Sequence, residues 1–178
     1  MTRTLWRALQ AVVILGLAGG VTAVAQAPAP ERLSGVISDY GPSNVKPTGP
    51  WEIRGPWSLK LEDEGSQADF SAALTMELSD YSQSPATIDV PGARGQHTHH
   101  VTMEDGTVTP LPNGGFEVNG PVTIAKDGSA VFGGSSLVID VTGGTSIAYS
   151  NITMTFQGPA TAHFGSQAIH GVVRKAKS

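Results

Sequence analysis

From Trp57 onward the apolar residues of this chain recur at every second position, and that period leaves little choice of fold. In "WSLKLE", Trp57, Leu59 and Leu61 share one side while Ser58, Lys60 and Glu62 share the other. In "FSAALTMELS" the residues Phe70, Ala72, Leu74, Met76 and Leu78 alternate in the same way. Successive side chains leave an extended strand on opposite faces, so this period builds ribbons with one apolar side. Phe116 and Val118, then Val122 and Ile124, then Leu137, Ile139 and Val141 continue the pattern. The segments "DEGSQ", Asn113-Gly114-Gly115, Asp127-Gly128 and Gly143-Gly144 separate the runs. Glycine-bearing pairs of this kind supply the positive φ of tight hairpin turns. In "TSIAYSNITMTFQG" the parity changes between Tyr149 and Ile152, which predicts a bulge or bend near Ser150-Asn151. No run of a dozen residues in this region carries apolar side chains at helical spacing. The expected fold is all-β: a single antiparallel β-sandwich or barrel of about ten short strands.

The beginning of the chain reads differently. Arg3 and Arg7, an apolar run from Ala11 to Ala18, and the small residues ending in Ala23-Val24-Ala25 have the order of a secretory signal peptide spanning residues 1–25. An uncleaved anchor is the alternative, weakened by Gln10, the glycines and Thr22. Residues 26–56 hold six prolines, from Pro28 to Pro56, and read as an extended lead-in with one short strand at Leu33 to Ser38. The all-β domain is expected over 57–178. Removing 25 residues from 178 leaves 153, enough for one domain. The chain has no cysteine, so its core must hold without disulfides and no lipid is attached through a thiol. The expected location is periplasmic, cell-surface or extracellular, in a bacterial setting. Without Arg3 and Arg7, nine basic residues face fifteen acidic ones, a charge of −6 that offers no footprint for nucleic acid.

Chemistry concentrates in "GQHTHHVTMEDG", where three of the five histidines fall within four positions. On a strand His97 and His99 point the same way, with Val101 and Met103, and lie ~6.5 to 7 Å apart along the chain. Thr98, His100, Thr102 and Glu104 take the opposite, solvated face. Two neutral imidazoles at this spacing reach one divalent ion, and a third ligand is needed. Glu104 can serve if the strand ends early, since Asp105-Gly106 reads as a turn from which Thr107 to Thr109 pairs back. His163 and His170 in "TAHFGSQAIHG" are the distant candidates, and His163 is preferred because Phe164-Gly165 suggests a bend that turns it inward. The candidate ligands are thus His97, His99, Glu104 and His163, for Zn, Cu, Fe, Mn or Ni, with the ion acting in catalysis as Lewis acid or activator of bound water or oxygen. In the plainer reading these are half-buried, hydrogen-bonded histidines of an ordinary strand.

The core "HTHHVTME" partly resembles the first motif of the cupin family, a glycine before His-x-His followed by a glutamate. The resemblance implies His97, His99 and Glu104 as metal ligands inside a small β-barrel. Gly92 stands one residue closer to His97 than the family pattern, and Leu111 replaces the glycine that follows the glutamate. For the second motif "PATAHFGSQ" offers Pro159, His163 and Gln167 where the family has proline, glycine, histidine and asparagine, with the proline misplaced and the glycine absent.

Other constellations say less. Glu62-Asp63-Glu64 reads as a solvated hairpin tip without the spaced oxygens of a calcium loop. No Gly-x-Ser-x-Gly elbow is present, and "FGGSS" lacks the lysine of a phosphate loop. Trp51, Trp57 and Tyr40 read as a plug for the end of a β-core, or else as a platform for a ligand. The competing function is therefore a secreted binding module for a sugar or apolar ligand, or a structural envelope protein.

Overall fold

The alternation resolves into ten antiparallel strands in a computed structural model that describes residues 32–41, 51–78, 96–112, 114–145 and 148–177. The strands are β1 (Arg32–Gly41), β2 (Trp51–Glu62), β3 (Gln67–Leu78), β4 (His97–Pro110), β5 (Phe116–Pro121), β6 (Thr123–Lys126), β7 (Ser129–Val131), β8 (Ser136–Thr145), β9 (Ala148–Gln157) and β10 (Ile169–Lys177). One helical turn, α1 (Thr161–Phe164), follows a 3-10 turn at Gly158–Ala160. The signal peptide and most of the lead-in lie outside the described residues. Among the described residues no helix is long and apolar enough to cross a membrane.

The sheet closes on itself. The order β1-β2-β3-β4-β5-β8-β9-β10 returns to β1 through the β1–β10 ladder, giving an eight-stranded barrel. Closure removes the unpaired edges that an open sheet must protect. An eight-stranded barrel is just wide enough for side chains to fill, and Leu74, Met76, Val101, Val118, Ile139, Ile152 and Met154 fill this one, each at 0% exposure. β6 and β7 form a hairpin laid against the first half of β4, whose residues 99–102 pair with β6 while residues 107–110 pair with β5. Asp127 and Gly128 turn that hairpin with φ of 51° and 78°, the positive pair such a turn demands. At Gly35 a Cβ would lie 1.9 Å from the Val172 carbonyl oxygen and 2.8 Å from the Trp57 indole nitrogen, so only glycine lets β1, β10 and Trp57 pack together.

Five local expectations are corrected. Residues 51–56, read as lead-in because of their prolines, are the first half of β2. The short strand expected at Leu33 to Ser38 is longer, and Leu33 and Ile37 are buried in the barrel wall. β4 does not reverse at Asp105-Gly106. Instead Ala68 pairs with Gly106 and Phe70 with Met103, so Glu104 and Asp105 together oppose Asp69 in a β-bulge, with Asp105 at φ 53°. No register shift forms at Ser150-Asn151: β8 and β9 keep one register from Ser136↔Gln157 to Thr145↔Ala148, with only the Gly143/Ser150 step unpaired. Ser150 and Asn151 are both exposed, so the strand meets no inward-facing position at that step. The Gly143-Gly144 pair lies within β8 rather than at its reversal.

A candidate three-histidine metal centre

The barrel parity of β4 decides where its histidines point. Val101 and Met103 are buried, so His97 and His99 face inward with them, and His100 is exposed on the outside. His97 stands opposite Met76 on β3 and His99 opposite Leu74. The third histidine comes from the other side of the chain. After β9, Gly158 turns with φ 69° and Pro159 starts the 3-10 turn; α1 then stops at Gly165, with φ 81° and its N–H donated to the Thr161 carbonyl. That single turn drops Phe164 into the end of the barrel, where it stacks on Phe156 at 4.2 Å and 16° and is fully buried. His163, next to it, is thereby carried to the β4 histidines.

The three rings meet at one point. His163 Nε2 is 3.0 Å from His97 Nε2 and 3.0 Å from His99 Nε2, and the three ligand nitrogens all lie within 4.8 Å of one another. A ring nitrogen carries one proton or one lone pair, so His163 Nε2 cannot satisfy both neighbours along its single axis. Nitrogens sharing a tetrahedral zinc at ~2.0 to 2.1 Å stand about 3.3 Å apart, within a few tenths of an ångström of the two separations from His163 Nε2. His99 is 1% exposed, and its Nδ1 is buried with no hydrogen-bond partner. Burial, helped by the charges of His163, His97 and Lys126, pushes the His99 pKa down to about 3. Burial, with His97 and Lys126, lowers that of His163 to about 4. Both rings are neutral at pH 7, the form in which imidazole ligates a metal.

Aromatic side chains enclose the group. Trp51 meets His97 edge-on at 5.5 Å, Phe164 meets His99 at 5.1 Å, and Phe132 stacks on His163 at 5.3 Å and 22°. Phe132 holds φ 55°, a conformation a bulky residue rarely adopts. The buried Ser135 hydroxyl fixes that loop, accepting from Ala160 N–H at 2.9 Å and donating to the Phe132 carbonyl at 2.7 Å. The loop after β7 and the turn before α1 are thus tied together over the histidines.

Glu104 is not brought to this group. It sits exposed on the outer side of the bulge, which keeps both bulged residues out of the barrel. His170 is also elsewhere: its N–H and Nδ1 both engage Asp39 Oδ2, at 2.8 and 2.7 Å, on the outer face of the β1–β10 ladder. Trp51 and Trp57 plug the core as expected, while Tyr40 is exposed. The sequence reading passed over Phe132, Ser135 and Lys126. Lys126 shares its parity with the buried Ile124, the one signal that places it on the histidine side.

A second group of three potential ligands lies near the far end of β4. Glu62, Asp69 and Asp105 bring carboxylate oxygens within 4.8 Å of one another, but they are half-buried or exposed. The Lys60 ammonium already contacts Glu62, and the Asp105 N–H donates to Asp69 Oδ1 at 3.2 Å. No family model matches the chain, and comparison with curated proteins and with solved structures finds no significant match.

Proposed function

We propose that this protein is an exported β-barrel that binds a divalent transition metal through Nε2 of His97, His99 and His163. The observation that carries the reading is the convergence of the three nitrogens, one of them 3.0 Å from both others, with burial holding the pKa of His99 and His163 well below the usual imidazole range. With no carboxylate in the set, manganese is the least suited of the candidate metals, and zinc, copper, iron and nickel remain. Three protein ligands leave a position for water or substrate, the arrangement of catalytic rather than structural zinc, where the ion supplies Lewis acidity or a more acidic bound water. His99 lacks the outer hydrogen bond that usually orients a ligating imidazole; the fully buried Phe164 packs edge-on against it instead.

The test is the metal content of the untagged protein by mass spectrometry, beside a His97→Ala, His99→Ala double variant. Near-stoichiometric metal that disappears in the variant supports the proposal. Equal trace metal in both would overturn it.

A second reading, as a binding module, draws on a groove of about 430 Å³ on the outer face of β1 to β4. Its floor is a row of hydroxyls paired directly across four strands, Ser34, Ser58, Ser71 and Thr102, flanked by Lys60 and Glu104. Such a surface suits a sugar better than an apolar ligand. A glycan screen with Ser58→Leu as the blocked control separates this reading from the first.

A further inference from the structure

The charge around the histidines is one-sided. Imidazole ligates a metal through a neutral nitrogen, and among the described residues the group that includes these three rings contains no aspartate or glutamate. Among the described residues the acids of the neighbouring segments are turned away: Glu104 and Asp105 are exposed at the bulge, and Asp127 is exposed in the β6–β7 turn. The remaining charge is positive. Lys126 is the direct cross-strand partner of His99, and paired residues of an antiparallel ladder project from the same face with Cβ atoms ~4.5 to 5.5 Å apart. Its parity with Ile124, buried opposite Val101, confirms that face. Lys126 is half-buried and makes no ion pair among the described residues. Its charge is felt at both His99 and His163.

A divalent ion held by three neutral ligands keeps both its charges. An ammonium beside it raises the local potential further, and in a partly desolvated site that potential is weakly screened. No carboxylate among the described residues supplies the counter-charge, which favours a ligand that brings its own. Trp51, Phe132 and Phe164 pack against the same three rings and offer predominantly apolar surfaces to whatever brings it.

We infer that the open position on the metal takes a small organic carboxylate, whose negative end is recognised by the ion and Lys126 together and whose apolar end lies against the aromatic walls. This rests on the metal reading above. The substrate or ligand class of the site is then a monocarboxylic acid rather than a sugar, a neutral amide or a cation.

Cobalt-substituted protein provides the test, because ligand-field absorption reports both loading and the fourth ligand. Titration with benzoate and acetate should shift the spectrum saturably, with benzoate tighter, while benzamide at equal concentration should leave it unchanged. Lys126→Met should retain one cobalt per chain and weaken benzoate about tenfold, the scale of one lost hydrogen bond to a charged group; Lys126→Arg should restore most of it. Equal binding of benzoate and benzamide, or a Lys126→Met protein that titrates like the parent, would overturn the carboxylate inference and leave the metal site standing. Binding of inorganic phosphate in preference to either carboxylate would overturn the organic part of it. A parent protein that takes up no cobalt would remove the metal reading itself, a result visible before any anion is added.

Discussion

β4 carries a trio of potential metal ligands toward each of its ends, and the two differ in everything except ligand count. At the start of the strand His97 and His99 face inward and meet His163 among aromatic rings, with the buried His99 Nδ1 left without a partner. Near the bulge Asp105 joins Glu62 and Asp69 on the outside, where Lys60 and a backbone N–H are already bonded to them. Two of the three acids already have partners; in the histidine trio two ring nitrogens crowd a third. The difference teaches that proximity of ligand types is common, whereas donors withheld from water and from one another are not.

The contrast can be broken by substitution. The largest effect belongs to the plug that delivers His163: Phe164→Ala should cost about 3–5 kcal/mol in denaturant unfolding and reduce metal occupancy as well. Zinc at a hundredfold excess over its Kd should then raise stability by about 2.7 kcal/mol, an increment abolished by chelator and by His163→Ala. The triple change Glu62→Gln, Asp69→Asn, Asp105→Asn should leave that increment untouched.

Acid gives a smaller, graded effect. His99 has a folded pKa well below its unfolded value of 6.5, so its contribution is fully present above pH 6.5 and is lost as pH falls toward about 3. From pH 7 to 5.5 the metal-free protein should lose about 1 kcal/mol through this group, measured by chemical denaturation against a His99→Phe control. Smallest of all, Glu62→Gln alone should change stability by no more than about 0.5 kcal/mol, the range of surface positions. A larger loss would mean that the acidic trio is more than a solvated corner.

Much of this was legible in the sequence, and the reasons are specific. Period two fixed which residues of β2, β3 and β4 face inward, and with them the direction of His97, His99 and His100. The Phe164-Gly165 step marked the bend that aims His163. Glu104 was misjudged because Asp-Gly is the usual sign of a reversal, and only the pairing with Asp69 reveals a bulge. Barrel rather than sandwich was not legible, since closure depends on β1 meeting β10 and β3 meeting β4, which no local pattern encodes. The helical turn at Thr161–Phe164 is too short to show a period. Lys126 could be assigned a face but not a neighbour, for its pairing with His99 is set by the register of a later hairpin.

The ladder that joins the first described strand to the last has a kinetic meaning. His97 and His99 leave the ribosome 64 and more residues ahead of His163, and β10, which shuts the barrel against β1, comes later still. Loop-closure entropy must be overcome over some 64 residues to bring the third ring and over nearly all the described chain to shut the barrel, so the folding rate should be that of a high-contact-order β-protein. An ion can therefore act only as a latch on the finished barrel, slowing its opening without hastening its assembly.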